Sequence, residues 1–267
     1  MAGPAAVTGE HAMIVALTRE PARALDACEL TYRGREPIDP DAAAAQHRAY
    51  CDVLRACGAR VFTLPPLEEF QDSVFVEDTA IVLDELAVLT RPGAVSRRGE
   101  VGLIEPEVAR LRTVVRIEPP ATLEGGDVLR LGRTLYVGLS PRTNAEGAAA
   151  LRRLAAPHDY EVLTVEPRGC LHLKTGCSAL DDEAVLVNPK WVDPAIFRGR
   201  RVVAADAAEP WAANVVRVGD SVCVSAASPR TAEMLSSLGY DVRAVEVSEF
   251  TKAEGSLTCL SLLFRQP

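Results

Sequence analysis

The chain has 267 residues, 48% of them hydrophobic and 25% charged, which excludes a disordered or fibrous polymer and leaves enough apolar material for a large core. A formal net charge of -8 is the wrong sign for nucleic acid or an anionic membrane surface, so neither is expected as a partner. No apolar run approaches the ~18 residues of a membrane helix, and the start lacks the basic and apolar stretches of a secretion signal, so a cytoplasmic protein is expected.

The first residues, 1–11, read as a disordered extension. Met13–Leu17 is a strand, and Asp39-Pro40-Asp41 opens a helix that Gly58 ends. Ala42, Ala45, Ala49, Val53 and Cys57 are spaced for the buried face of that helix, and Arg60–Leu64 is a second strand. Four hairpins follow: Thr79–Thr90 around Asp84-Glu85, Asp127–Leu139 around Gly132-Arg133, Ser178–Asn188 around Asp181-Asp182, and Asn214–Ala226 around Gly219-Asp220. Helical material is expected after each hairpin. Ser140-Pro141 and Ser228-Pro229 are start signals, with Thr143 and Glu146 as an alternative capping box for the first. Closing strands are expected at Glu161–Val165, Arg201–Ala204 and Val242–Val245, and a last strand at Thr258–Phe264.

The turns recur roughly every 40 to 50 residues, the mark of a repeat architecture. Each unit is β-β-α-β, and the two chain ends supply the halves of a fifth. If the last strand pairs with the first, the units close into a ring without sheet edges. No linker or composition shift divides the chain, so 1–267 is expected to be a single domain.

In such a ring the residues leading each hairpin converge on the axis: Glu77 and Asp78, Glu124 to Asp127, His172 to Thr175, Asn214, and Thr258 with Cys259. A cysteine, a histidine and several carboxylates suit nucleophilic catalysis. Each has a plainer reading alone: an inert buried thiol, a core histidine, a tight turn, solvated acids, or, for Arg97-Arg98, loop surface. The seven cysteines include no C-x-x-C pair, and Cys170-Leu171-His172 with Cys177 lacks the second half of a zinc site. No metal and no cofactor is expected.

The strings Asp72-Ser73-Val74-Phe75-Val76-Glu77-Asp78, Arg91-Pro92-Gly93-Ala94, Ser96-Arg97-Arg98-Gly99-Glu100, Arg142-Thr143-Asn144-Ala145-Glu146-Gly147 and Leu171-His172-Leu173-Lys174-Thr175-Gly176, with the C-terminal Cys259, resemble the dimethylarginine dimethylaminohydrolase family in order and spacing. The resemblance implies an α/β fold, the five-bladed α/β propeller called a pentein, built from ββαβ units with pseudo-fivefold symmetry. It implies hydrolysis of Nω-methylated and Nω,Nω-dimethylated arginine to citrulline and methylamine or dimethylamine. Cys259 then matches the nucleophile, His172 the general acid and base, and Glu124 the carboxylate beside it. Glu77 and Asp78 match the acids around the guanidinium, and Arg97 and Arg142 the arginines on the substrate carboxylate. Asp72, with the carbonyls of Leu30 and Ala253, matches the contacts to the substrate amino group, and Phe75 belongs to the same substrate-binding set. The stretch Asp26 to Asp39 takes the place of the family's lid without a sharp motif of its own. The implied partner is a small molecule, and a homodimer is left open. Arginine deiminase and amidinotransferase of the same fold remain alternatives, as does a non-catalytic binding module on this propeller.

Overall fold

A computed structural model describes residues 13–266; the extension expected at 1–11 lies outside them. Strand β1 (Met13–Arg19) leads to helix α1 (Pro40–Ala56) and strand β2 (Arg60–Leu64). Then come β3 (Ala80–Val82), β4 (Leu86–Leu89), α2 (Arg98–Ala109) and β5 (Thr113–Arg116). The next unit is β6 (Val128–Leu131), β7 (Thr134–Gly138), α3 (Ala145–Ala155) and β8 (Glu161–Val165). A short helix α4 (Leu173–Gly176) precedes β9 (Cys177–Ala179), β10 (Ala184–Val187) and β11 (Arg201–Ala204). The chain ends with β12 (Val216–Val218), β13 (Ser221–Ser225), α5 (Pro229–Ser237), β14 (Asp241–Val245), α6 (Ser248–Lys252) and β15 (Leu262–Gln266).

These strands form five three-stranded sheets. In four of them the hairpin pairs antiparallel and the third strand joins the middle one parallel, as in β6-β7-β8. The fifth is assembled from both ends of the described chain: β15 pairs antiparallel with β1, Val15 opposite Phe264, and β2 pairs parallel with β1. The unit split across the termini is therefore real, and this is the α/β five-bladed propeller.

The core shows the ring directly, because each of its five apolar clusters lies between two neighbouring sheets. Val15, Leu17, Leu262 and Phe264 meet Ala87, Leu89 and the α2 residue Ile104. Leu83 and Val88 meet Leu135 and Leu151 of α3. Leu129 and Tyr136 meet Val185 and Phe197, and Leu186 meets Val222 and Leu235 of α5. The last wedge, with Tyr50 and Leu54 of α1 against Val216, Cys223 and Val245, joins the β12-β13-β14 sheet to the β15-β1-β2 sheet. Each helix thus fills the gap between its own sheet and the one before. The first strands of all five sheets line an axial cavity of about 1030 Å³.

Four local expectations are corrected. The buried face of α1 is Ala43, His47, Tyr50, Cys51 and Leu54, while Ala45 and Ala49 are exposed. The helix turns its largest side chains inward because alanines offer little apolar area to bury, and the Tyr50 hydroxyl finds Leu257 O and Ser261 Oγ there. No regular helix follows β10; a single 3-10 turn, Pro194–Ile196, sits in a segment broken by two prolines, and Phe197 fills the wedge. Helix α3 is capped by Asn144, not by Ser140 or Thr143. The Asn144 Oδ1 accepts from Gly147 N and from Thr122 N, so a tertiary bond picks the register. Finally, Thr258–Leu260 is a 3-10 turn and the last strand begins only at Leu262. An apolar run by itself does not separate strand from buried turn, and here the Asn214 side chain accepts the Thr258 N–H before any ladder forms.

Candidate active site

The site is built at one end of the axial cavity from the segments just ahead of the first strands. Val76–Thr79 forms a 3-10 turn before β3, Gly125–Asp127 another before β6, and Thr258–Leu260 a third before β15. Short turns expose one or two side chains in fixed directions, and polar groups facing one another inside the ring can satisfy each other without water.

Glu77 is held by two donors, Lys174 Nζ on Oε1 and the Thr258 hydroxyl at 2.9 Å on Oε2. Asn214 braces this knot by donating to Thr258 Oγ1 at 3.0 Å and to Lys174 O at 2.8 Å. Glu77, Lys174 and Thr258 border the axial cavity, and their hydrogen bonds tie three of the five units together at that end. Cys259, next in sequence to Thr258, is half-buried and also borders a second cavity of about 240 Å³ with Asn214, Thr175 and Trp211. Burial, with Glu77 and Asp78 nearby, pushes its thiol up to about 12.

The histidine stands on its own support. His172 Nε2 lies 2.7 Å from Glu124 Oε2, and its Nδ1 lies 3.9 Å from Asp78 Oδ1. Burial alone would lower its pKa, but Asp78, Asp127 and Glu124 outweigh it and raise the imidazole to about 9. Asp78 feels the opposite balance: burial disfavours its charge, yet His172 and Arg97 bring it down to about 2. Asp127 is wholly buried, accepts Leu173 N at 2.9 Å and the Ser140 hydroxyl at 2.6 Å, and is pushed up by burial to about 6. The two residues that looked like helix caps therefore serve the site: Ser140 braces Asp127, and the Thr143 hydroxyl accepts Glu124 N at 3.1 Å.

Close packing explains the glycines of Glu124-Gly125-Gly126-Asp127. A Cβ on Gly126 would stand 2.6 Å from His172 Nδ1 and 2.8 Å from Asp78 Oδ1, and the Gly126 N–H donates to that same oxygen.

The remaining proposed contacts divide. Asp72 is buried, its Oδ2 accepts Glu29 N at 3.1 Å, and burial raises its pKa. Arg142 lies 3.7 Å from Glu124 and donates to Thr31 Oγ1 at 3.2 Å, beside Leu30. Arg97 is turned inward. Its guanidinium pairs with Asp78 at 2.5 Å and Glu100 at 2.8 Å and donates to the carbonyls of Asp72 and Phe75. It thus positions the whole Asp72–Asp78 segment, and Phe75 packs beneath the loop that carries Cys259, against Phe250 and Gly255. Ala253 is buried at the end of α6, on the same loop as Cys259. Asp127 and Lys174 were expected on the axis without a role of their own, and Glu100 only as part of a matching string. Lys174 had one faint signal, as one of only three lysines in the chain.

The family model for eukaryotic N,N dimethylarginine dimethylhydrolase matches residues 19–193. The N(G),N(G)-dimethylarginine dimethylaminohydrolase of Pseudomonas aeruginosa is 40% identical over 253 residues, 93% of this chain and 98% of that protein. The enzyme of that name from Streptomyces coelicolor is 40% identical over 254 residues, 94% of this chain and 97% of its own. Among solved structures, DDAH from Pseudomonas aeruginosa, a cysteine-to-serine mutant complexed with citrulline, superposes with a TM-score of 0.91 at 38% identity, covering 95% of this chain and 100% of that one. The N-terminal domain of the cyanobacterial arginine dihydrolase ArgZ has a TM-score of 0.86 at 24% identity, over 96% and 98% of the two chains, a likeness of fold.

Proposed function

The chain belongs to the dimethylarginine dimethylaminohydrolase family, and we propose on that premise that it hydrolyses Nω-methylated and Nω,Nω-dimethylated L-arginine to L-citrulline and methylamine or dimethylamine. The observation that carries the residue roles is the meeting of the Cys259 turn with the Glu77–Asp78 turn beside a buried His172–Glu124 pair. In this reading Cys259 is the nucleophile, His172 the general acid and then base, and Glu124 its orienting carboxylate. Asp72, with the carbonyls of Leu30 and Ala253, holds the substrate amino group, and Arg142 its carboxylate, while Arg97 acts behind them.

A guanidinium carbon is a poor electrophile, so it needs a thiolate and a protonated leaving group. Before substrate binds, Cys259 is a thiol, because burial and two carboxylates oppose its charge. A bound guanidinium ~4 Å away at an effective dielectric near 20 contributes roughly 4 kcal/mol, about a thousandfold in favour of the thiolate. The cation thereby activates its own attacker, the thiol proton passing to solvent as the substrate enters. Sulfur forms a bond to the guanidinium carbon, the bond to the methylated nitrogen breaks, and that nitrogen takes the His172 proton and leaves as the amine. Water then gives one proton to His172 and attacks the same carbon, the carbon–sulfur bond breaks, the remaining hydroxyl proton passes to the departing sulfur to restore the thiol, and citrulline is released. The carboxylates replace hydration that the cation loses on entering the ring. The chemistry requires neither metal nor cofactor, and the partner it calls for is the small-molecule substrate.

The deciding measurement is intact-protein mass spectrometry after acid quench with asymmetric dimethylarginine, alongside product analysis. An adduct on Cys259 that vanishes in Cys259→Ser, with citrulline and dimethylamine formed, is expected. Turnover of arginine alone with release of ammonia would make the chain an arginine deiminase instead. Transfer of the amidine to an added amine would make it an amidinotransferase.

A further inference from the structure

The carboxylate of Glu254 accepts hydrogen bonds from three successive backbone N–H groups, those of Thr31, Tyr32 and Arg33, all within 2.9 Å. These residues belong to the segment between β1 and α1 that lies over the site, more than two hundred positions away in sequence. Three N–H groups aimed at one anion form a nest, a strong way to seat an irregular loop. Glu254 also has a φ of 58, in the left-handed region that disfavours a side chain with a Cβ. The Arg33 side chain closes the joint: it donates to Thr251 O at 2.6 Å, and its guanidinium lies 5.5 Å from the centre of the Trp211 ring. Arg33, Trp211, Glu254 and Cys259 border one cavity of about 240 Å³.

We propose that Glu254 is a positioning residue that latches the 30–33 segment shut over Cys259 and in the same act fixes the Leu30 and Ala253 carbonyls relative to each other. Leu30 precedes the three donors directly, and Ala253 precedes the acceptor. The two carbonyls proposed to hold the substrate amino group are thus one residue from either half of the latch. The inference rests on the hydrolase reading for its kinetic consequence, but the latch itself is testable without substrate.

Glu254→Gly is the informative variant, because glycine accepts the left-handed backbone while removing the carboxylate. Two substrate-free readouts report on the segment: the rate of trypsin cleavage after Arg33 and Arg35, and emission from the chain's two tryptophans, Trp191 and Trp211, which stack 4.7 Å apart. Losing three charge-assisted bonds is expected to speed cleavage by about tenfold to a hundredfold, and to raise KM for asymmetric dimethylarginine by a similar factor with kcat within about threefold. Glu254→Gln keeps one acceptor oxygen and is expected to fall between the two, and it carries the test if the glycine variant does not fold. Wild-type resistance to trypsin and an unchanged KM in both variants would overturn the latch. A wild-type protein that forms no citrulline would instead overturn the hydrolase reading and leave the cleavage comparison standing.

Discussion

The imidazole of His172 is buried, which by itself would strip its proton, yet Asp78, Asp127 and Glu124 hold it charged to about pH 9. A proton bound more tightly in the folded state, at about 9 against a reference of 6.5, stabilises the fold fully below pH 6.5. That contribution is lost as pH rises through 9. In the proposed mechanism the same titration removes the general acid, so kcat is expected to fall above pH 9, and NMR of the His172 ring should show its midpoint there. Glu124→Gln should move that midpoint downward, since it removes the negative charge 2.7 Å from Nε2. An unchanged midpoint would separate Glu124 from the charge of the ring. Of these residues, Cys259, His172 and Glu124 were legible in the sequence through their motifs. Asp127 and Lys174 were legible as axis residues but their roles, and that of Glu100, were not, because a buried acid or lysine is given its role only by the partner that folding brings to it.

Helix α3 shows how tertiary demand redirects local signals. Its sequence offers three capping candidates, Ser140, Thr143 and Asn144, and propensity alone does not rank them decisively. The site takes the first two, for Asp127 and Glu124, and Asn144 is left to cap the helix while also accepting Thr122 N. Asn144→Ala is therefore expected to cost about 1–2 kcal/mol in chemical denaturation, at the upper end for a cap because two N–H groups lose one acceptor. A loss below a few tenths would mean that neither bond matters in solution. The hairpins were read closely from their turns, since Asp84-Glu85 and Gly132-Arg133 sit between alternating apolar runs. The face of α1 was misread because spacing weighed alanines equally with tyrosine and leucine.

At the scale of the whole molecule, the closing sheet makes stability depend on the two ends of the described chain meeting. β15 gives β1 its antiparallel partner and places Leu262 and Phe264 in the core shared with α2. Deleting residues 262–267 is expected to leave β1 with an open edge and to abolish cooperative unfolding, read by circular dichroism during a urea titration. A truncated chain with an unchanged midpoint would show that the ring does not need its clasp. The ring also explains why Glu77, Lys174, Asn214 and Thr258 form one hydrogen-bonded knot: each stands just ahead of the first strand of a different unit.

By itself the amino-acid sequence determined what is local or periodic: the hairpin turns, the β-β-α-β repeat, the unit shared by the termini, and the chemical types offered at the axis. Folding decided what depends on distance. Cys259 sits on a turn and not in a strand because Asn214, forty-four positions earlier, accepts the Thr258 N–H. Arg97 faces inward because Glu100 and Asp78 enclose it, and Glu254 meets residues 31–33 only once the ring has closed. Such pairings carry no sequence period, since the energy of a buried charge depends on the group across from it and not on its neighbours in the chain.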